Sequence, residues 1–296
     1  MVEIVFLGTG CMQPTKTRNH AGVLLKYKTE QILFDCGEGI QRQIRIAGEK
    51  PAKITKLCIS HWHGDHVFGI PGLLSSMGAD HSEQILHIYG PKGSKFYLKH
   101  MFKSFSAKDI IPYQVHEVSS GKIFENDDYY LEAQPLKHSV VCVGFKFVEK
   151  ERKRIEVSKV KKLGLEGPIL GELQSGKDVV VNGKKIKSKD VTYIIEGKSI
   201  SYVTDTTKCN GVNKLAKNVD VLILEGTLLD DLKKNAAKSK HLTVKQAALI
   251  ASENNVDKLI VTHISQRYKN NHEIQEEAQK YFPNSVVAED FMKFKP

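Results

Sequence analysis

The chain has 296 residues, of which 41% are apolar and 26% are charged, and its formal net charge is +10. This length permits one large domain or two small ones, and the composition excludes a fibrous repeat and a disordered chain. The excess of Lys and Arg suits a polyanionic partner such as nucleic acid, although many lysine-rich proteins are merely soluble.

The N-terminus and the cysteines bear on where the protein works. Glu3 stands in a strand-like run where a signal peptide would need basic residues, and no apolar stretch is long enough to span a bilayer. The five cysteines are scattered and include no C-x-x-C pair, which argues against a disulfide framework or a thiolate zinc site. We therefore expect a cytoplasmic protein that does not contact a membrane.

Short strands and helices are predicted to alternate along the chain, as in an α/β protein. Apolar and β-branched runs between Gly, Pro and Asn indicate the strands, and apolar periodicity indicates the helices. Strands are predicted over 2–7, 22–27, 31–34, 54–59, 129–136, 199–203, 219–224 and 256–261, and helices over 68–77 and 243–253. Thr243 is expected to cap the second helix.

One segment breaks the globular pattern. Residues 150–162 read KERKRIEVSKVKK, with seven basic residues against two acidic ones, and several Gly and Pro positions follow closely. We predict that residues 150–171 form an inserted, solvent-exposed arm on a single domain of residues 1–296. The alternative is a solvated loop that has no partner.

The segment Ser60–His66 reads SHWHGDH and places three imidazoles and one carboxylate directly after an apolar strand. Imidazole and carboxylate are the ligands that zinc accepts. A surface loop that binds metal incidentally is the alternative, but it would need neither Asp65 between the histidines nor the helix that follows. We predict that His61 and His63 turn toward one ion, and Asp65 and His66 toward another.

Two ions need more ligands than one loop supplies, and three further candidates follow predicted strands. They are His138, Asp205 and His263, and strand ends are where α/β folds gather their sites. Any one of them alone would be interpreted as a capping Asp or a core histidine, but their common placement predicts one shared centre. Surface positions are expected for the other histidines outside the later H-L-T motif, namely His20, His81, His87, His100, His116 and His272.

These motifs resemble the metallo-β-lactamase superfamily, and the wider pattern resembles the ribonuclease Z family. The H-x-H-x-D-H loop, F-L-G-T-G at 6–10, F-D-C-G-E-G at 34–39 and F-G-I-P-G-L-L at 68–74 occur in the family's order over nearly the whole chain. Three further motifs resemble those of tRNA 3′ processing. They are P-T-K-T-R-N at 14–19, H-L-T at 241–243, and Gly167-Pro168 with Leu173 and Gly176.

The resemblance implies a fold and a set of metal ligands. The fold is an αββα sandwich of two mixed sheets flanked by helices, with an inserted basic flexible arm and two zinc ions in a cleft at one edge, manganese being possible. One zinc would be held by His61, His63 and His138, the other by Asp65, His66 and His263, and Asp205 would bridge both.

The resemblance also implies a reaction, the hydrolysis of precursor tRNA that leaves a 3′-hydroxyl on the tRNA and a 5′-phosphate on the trailer. Asp65 resembles the family's proton acceptor, and His241, positioned by Glu225, is the general-acid candidate. Alternatively, His241 only orients the helix that follows it. Asp35 is expected to support the metal loop. The sequence departs from the bacterial H-E-A-T motif at 224–227, where it reads L-E-G-T, and the arm lacks the usual Pro-Gly pair.

Substrate contacts and assembly complete these expectations. Lys16 and Arg18 are predicted to bind phosphates or bases, the alternative being solvation of a turn. The arm, with Arg152, Lys153, Arg154, Gly167 and Pro168, is predicted to grip the tRNA, and the family suggests a homodimer in which one subunit's arm holds the RNA that the other cuts. The rivals are a hydrolase of a small ester or cyclic nucleotide, which would have no use for a basic arm, and a nucleic-acid-binding scaffold that has lost its metals.

Overall fold

The computed structural model of the protein describes residues 2–80, 84–106 and 110–296, so that the surface position predicted for His81 lies outside the described residues. The strands are β1 Val2–Gly8, β2 Gly22–Tyr27, β3 Glu30–Phe34, β4 Ile54–Cys58, β5 Leu86–Gly90, β6 Tyr113–Glu117, β7 Gly121–Glu125, β8 Tyr129–Pro135, β9 Val143–Glu149, β10 Arg152–Ile155, β11 Val179–Val181, β12 Lys184–Ile186, β13 Thr192–Ile195, β14 Ser199–Val203, β15 Val221–Glu225, β16 Lys258–Thr262, β17 Ser285–Val287 and β18 Lys293–Phe294. The α-helices are α1 Ile40–Ile46, α2 Gly64–Val67, α3 Ile70–Ala79, α4 Ser94–Lys103, α5 Val157–Lys162, α6 Ile169–Gln174, α7 Ser188–Val191, α8 Asn210–Ala216, α9 Lys233–Ser239, α10 Val244–Glu253 and α11 His272–Tyr281.

Within the described ranges, fourteen of these strands form two seven-stranded mixed sheets. The first sheet has the order β18-β1-β2-β3-β4-β5-β6, and the second has the order β17-β16-β15-β14-β9-β8-β7. Strands β3 to β6 are parallel to one another, and so are β14 to β17. The carboxyl ends of several strands in each sheet therefore lie along one edge.

The two sheets pack face to face around an aromatic core. Phe34 and Phe145 lie fully buried between the sheets, and Phe34 stacks on Tyr202 with 5.3 Å between ring centroids. Helices α1, α3 and α4 pack on the outer face of the first sheet, and α8, α10 and α11 pack on the outer face of the second. Burial of each large apolar side chain stabilises the fold by roughly 1.5–3 kcal/mol. The result is the αββα sandwich that the sequence predicts.

The helices near the histidine cluster differ from the prediction in one detail. The chain first forms the short helix α2, and α3 begins at Ile70 with Pro71 in its first turn, where proline is tolerated. Phe68 lies between the two helices, and 65% of its surface is exposed. The predicted buried helix therefore begins two residues later than expected, and its expected first residue faces solvent.

An inserted unit, residues 152–195, separates β9 from β14. Its outer strands β10 and β13 pair antiparallel from Arg152↔Ile195 to Ile155↔Thr192, and its helices enclose a small apolar cluster. That cluster includes Leu173, Val179 and Val191. The predicted end at residue 171 is therefore wrong, because charge marks only the first half of the unit while its apolar residues follow later in the chain.

Candidate metal centre

Seven side chains of metal-ligand type converge at the edge of the sandwich. They leave the carboxyl ends of β4, β8, β14 and β16 and the first turn of α2. The ligand atoms of four of them lie within 4.8 Å of one another, as do those of the other three, and His241 forms a third such group with Asp205 and His263. The seven residues are His61, His63, Asp65, His66, His138, Asp205 and His263.

Asp205 lies between two sets of imidazoles. Its Oδ2 is 3.6 Å from Nε2 of His61 and 3.7 Å from Nε2 of His138. Its Oδ1 is 3.5 Å from Nε2 of His66 and 3.2 Å from Nε2 of His263. Each oxygen of one carboxylate thus faces a different set of nitrogen donors, which is the arrangement that a residue shared by two ions requires.

The two sets are completed by His63 and Asp65. Nδ1 of His63 is 3.0 Å from Nε2 of His61 and 3.3 Å from Nε2 of His138. Oδ2 of Asp65 is 3.4 Å from Nε2 of His66 and 3.5 Å from Nε2 of His263. Such short spacings between nitrogen and oxygen donors are those of ligands gathered around a common point.

Two buried nitrogens test whether these residues fit metal ions. Nε2 of His66 and Nε2 of His263 are inaccessible to solvent and have no hydrogen-bond partner in the described part of the chain. A buried polar atom without a partner is costly, and each instance needs a physical explanation. A divalent ion held by Asp65, His66 and His263 would satisfy both atoms, so this group of residues fits a metal.

Asp35 holds the metal loop from behind. Its Oδ2 is 2.8 Å from Nδ1 of His66 and accepts a 2.8 Å hydrogen bond from the Tyr202 hydroxyl, while Oδ1 accepts one of 2.7 Å from the Ser60 amide. These contacts fix the ring of His66, as is usual for the outer partner of a metal-ligating histidine. Asp35 has the supporting position that the sequence analysis expects.

The backbone is strained at three residues of the centre. Asp35, Asp205 and His263 have φ values of 56°, 48° and 59°, which lie in the left-handed region that residues other than glycine rarely adopt. Such conformations persist where the surrounding structure imposes them, and they cluster at functional sites. Each turns the chain sharply as it leaves a strand, which directs the side chain into the centre.

Electrostatics keep both carboxylates ionised. Burial opposes ionisation, but the neighbouring imidazoles of His263 and His66 hold the pKa of Asp65 far below its usual range. His263, His66 and His61 likewise hold the pKa of Asp205 well below its usual range against the effect of burial. Burial and the neighbouring His66 lower the pKa of His61. Ionised carboxylates are the forms that bind metal.

His241 and Glu225 form a pair beside the centre. Nδ1 of His241 is 3.0 Å from Oε2 of Glu225, and Nε2 of His241 lies 4.0 Å from Oδ2 of Asp205. Glu225 is fully buried, and it also accepts hydrogen bonds from the amides of Thr206 and Leu242. Burial lowers the pKa of His241, but the charge and hydrogen bond of Glu225 outweigh it and raise that pKa to about 9. The pair therefore presents a protonated imidazole to the centre.

The centre opens into a cleft of about 910 Å³ with two different walls. Loops of the first sheet supply Met12, His20 and Phe68, and loops of the second sheet together with α9 supply His138, Asn235, Lys238 and His241. The Met12 amide donates a 3.1 Å hydrogen bond to Oδ2 of Asp65. The two sheets thus contribute opposite sides of one site.

His20 corrects a sequence expectation, because its side chain is buried rather than at the surface. Nε2 of His20 is 3.0 Å from the carbonyl oxygen of Met12, and the residue lines the metal cleft. The sequence feature that could have indicated this position is that His20 directly follows the P-T-K-T-R-N motif at 14–19.

His87 and His116 are also less exposed than expected, since they lie half-buried on β5 and β6 with ring nitrogens 3.2 Å apart. His100 and His272 are exposed as predicted.

Lys16 and Arg18 lie at a second cleft of about 640 Å³, outside the residues that line the metal cleft. The buried guanidinium of Arg18 donates to the Thr9 hydroxyl, to the Asn271 side chain and, at 2.8 Å, to the carbonyl of Ala288. These bonds attach the 14–19 loop to the C-terminal segment. Contact of either residue with substrate stays a prediction.

The remaining candidates lie on the inserted unit. Arg152 and Lys153 line a cavity of about 450 Å³ there, and Arg154 is exposed on the same strand. Gly167 and Pro168 are exposed at the start of α6, where Gly167 has a φ of 73°. The structure therefore separates these residues from the seven ligands, which is the arrangement of a remote binding surface.

Comparison with known proteins identifies the family. The family model for the anti-Pycsar protein Apyc1 matches residues 2–150, and that for the β-lactamase superfamily domain matches residues 173–264. The ribonuclease Z of Methanothermobacter thermautotrophicus is 41% identical over 294 residues, which cover 99% of this chain and 96% of that protein. The chain belongs to the ribonuclease Z family.

Further members of the ribonuclease Z family match as completely. The Lactococcus lactis ribonuclease Z is 38% identical over 305 residues, with 99% of each chain covered. The crystal structure of the short form of human tRNase Z superposes with a TM-score of 0.72 at 26% identity, over 99% of this chain and 98% of that one. Membership of this family makes the chain a hydrolase.

Among the described helices, none is both long and apolar enough to cross a membrane.

Proposed function

We propose that this chain is a zinc-dependent endoribonuclease that removes the 3′ trailer from precursor tRNA, leaving a 3′-hydroxyl on the tRNA and a 5′-phosphate on the trailer. The observation that carries the proposal is Asp205, whose two oxygens face two separate sets of histidines. Full-length similarity to ribonuclease Z supports the choice of an RNA substrate over other phosphodiesters.

Two zinc ions would be held by the seven ligands. His61, His63 and His138 would hold the first and Asp65, His66 and His263 the second, with Asp205 shared. Imidazole and carboxylate donors suit zinc, and manganese is compatible with the oxygen donors. When bound, such a pair of ions supplies Lewis acidity toward the attacking water and the oxygens of the phosphodiester.

Asp65 would take the proton from the attacking water. Its carboxylate belongs to one ligand set, and the Met12 amide and the neighbouring histidines hold it in one orientation. A general base acts from within hydrogen-bond reach of the proton that it abstracts. A carboxylate fixed at the edge of the centre and open to the cleft meets that requirement.

His241 would give a proton to the leaving 3′-oxygen. Because Glu225 keeps the imidazole protonated at neutral pH, Nε2 carries a proton directed at the centre. The motif lacks the histidine that bacterial relatives have at position 224, but Glu225, the residue that orients His241, is present. Glu225 is therefore a positioning residue and His241 the general acid.

Recognition of the tRNA would involve surfaces away from the metals. The inserted unit carries Arg152, Lys153 and Arg154, and a basic surface can follow the A-form backbone without contacting base edges. We propose that Lys16 contacts RNA near the cleavage point, that two copies form a homodimer in which each subunit's inserted unit holds the RNA cut by the other, and that the enzyme works in the cytoplasm.

The test is incubation of the purified, zinc-supplied protein with a 3′-extended precursor tRNA, followed by mapping of both product ends. We expect a single cut that leaves a 3′-hydroxyl on the tRNA and a 5′-phosphate on the trailer, and no cut by His63→Ala. Intact precursor, or cleavage at many internal positions, would contradict the proposal. Rapid hydrolysis of a small ester or cyclic nucleotide alone would favour the rival activity.

A further inference from the structure

Phe68 is a large apolar side chain that the fold holds against the metal loop while leaving it exposed to solvent. Its ring lies over Gly64, where an added Cβ would come within 2.3 Å of ring atom Cε2. Yet 65% of the residue is exposed. Because Phe68 also lines the metal cleft, its exposed ring is accessible to a molecule bound there.

A second, apolar cavity continues from this residue. Phe68 lines the metal cleft, and it also lines an adjoining cavity of about 430 Å³ together with Pro71, Met101, Ser104 and Phe105. Phe105 is 40% exposed. The apolar surface therefore runs outward from the metal centre along the first sheet's side of the molecule.

The position of the general acid gives the RNA a direction in the cleft. In an in-line displacement the attacking and leaving oxygens lie on opposite sides of phosphorus. The leaving 3′-oxygen belongs to the tRNA, so the tRNA end lies along the wall of His241 and Lys238. The trailer keeps the phosphate through its 5′-oxygen, which is equatorial and out of line with the leaving oxygen, so the trailer is free to run toward the wall that contains Phe68.

We propose that Phe68 is a stacking platform for the first base of the trailer and that Phe105, in the adjoining cavity, contacts a following base. This inference rests on the proposed function and adds the path of the released strand. Single-stranded RNA presents unstacked bases, and aromatic side chains bind them without regard to sequence. A wall that accepts trailers of any sequence needs such a surface rather than hydrogen-bonding groups.

The test compares precursors that carry a trailer of a single nucleotide or of several nucleotides. Base stacking is worth roughly 1–3 kcal/mol per base, so Phe68→Ala should lower kcat/KM roughly 5- to 150-fold on both precursors. Phe105→Ala should lower it only on the longer trailer. Phe68→Tyr retains an aromatic face and should keep most of the wild-type kcat/KM, whereas Phe68→Leu should not.

Phe96→Ala is the matched control, because Phe96 is 60% exposed on the neighbouring helix α4 and is not among the described residues that line either cavity. Equal kcat/KM for wild type and Phe68→Ala on both precursors would overturn the inference. A loss of kcat/KM in Phe68→Ala that accompanies a change of oligomeric state would also overturn it, because a second copy of the chain would then cover this surface. A wild-type protein that released no trailer would contradict the proposed function instead, so the two failures are distinguishable.

Discussion

At the scale of single residues, the arrangement around Glu225 explains how His241 is held beside the metal centre. Glu225 is fully buried, accepts hydrogen bonds from two backbone amides and faces Nδ1 of His241. A fully buried carboxylate needs such partners, since isolated burial of a charge is very costly. The same contacts fix the imidazole ring and keep it protonated.

His241→Ala should slow RNA cleavage under single-turnover conditions by roughly 10²- to 10⁴-fold, as expected for the loss of a general acid, while metal content stays that of the wild type. The matched control is His272→Ala, whose side chain is exposed at the start of α11 and should leave the rate unchanged. Loss of zinc from His241→Ala, or a wild-type rate, would show that His241 serves the ligands or the helix instead.

Glu225→Gln should shift the pH profile of the same reaction. A general acid acts only while it is protonated, so the rate falls as pH rises through its pKa. Because Glu225 raises the pKa of His241 to about 9, its loss should move that fall toward lower pH. A pH–rate profile of the variant measures this shift, and an unchanged alkaline limb would mean that another group donates the proton.

The sequence was most informative where a ligand follows a strand. His138, Asp205 and His263 could be predicted because an apolar run ends just before each, and the structure brings all three to the metal cleft. His20 and Phe68 could not, because their roles depend on which loops meet across the two sheets. No local pattern distinguishes a cleft phenylalanine from the first residue of a buried helix.

At the scale of elements, the inserted unit shows where composition misleads. Its charged first half was evident, but the cluster of Leu173, Val179 and Val191 that supports it comes later in the chain and is too short to show a clear period. The unit is also anchored at its base, where the Glu149 amide donates a 2.8 Å hydrogen bond to the Lys198 carbonyl. Its two ends are thus adjacent, and it can be removed without spanning a gap.

Replacing residues 151–196 by a short Gly/Ser linker should weaken binding of precursor tRNA and leave hydrolysis of a small chromogenic phosphodiester intact. For each phosphate that the shortened protein no longer neutralises, the slope of log affinity against log salt should become shallower by roughly 0.7–0.9. Equal loss on both substrates would mean that the unit supports the fold. Unchanged tRNA affinity would mean that recognition lies elsewhere.

At the scale of the whole molecule, the sandwich serves to bring two sets of loops together. The first sheet supplies His61, His63, Asp65 and His66, and the second supplies His138, Asp205 and His263. Alternating strands and helices predicted an α/β protein, and the αββα sandwich was implied by the resemblance to the metallo-β-lactamase superfamily. The two sheets pack face to face around Phe34 and Tyr202, and this packing brings the separate motifs together in one centre.

The most direct test of this account is the metal content of the protein, measured by elemental analysis after purification without chelators and with supplied zinc. The two ligand sets predict about two zinc ions per chain, and Asp205→Ala, which removes the shared carboxylate, should lose metal and turnover together without unfolding the domain. Fewer than about one ion per wild-type chain would contradict the two-metal centre on which the proposed reaction depends.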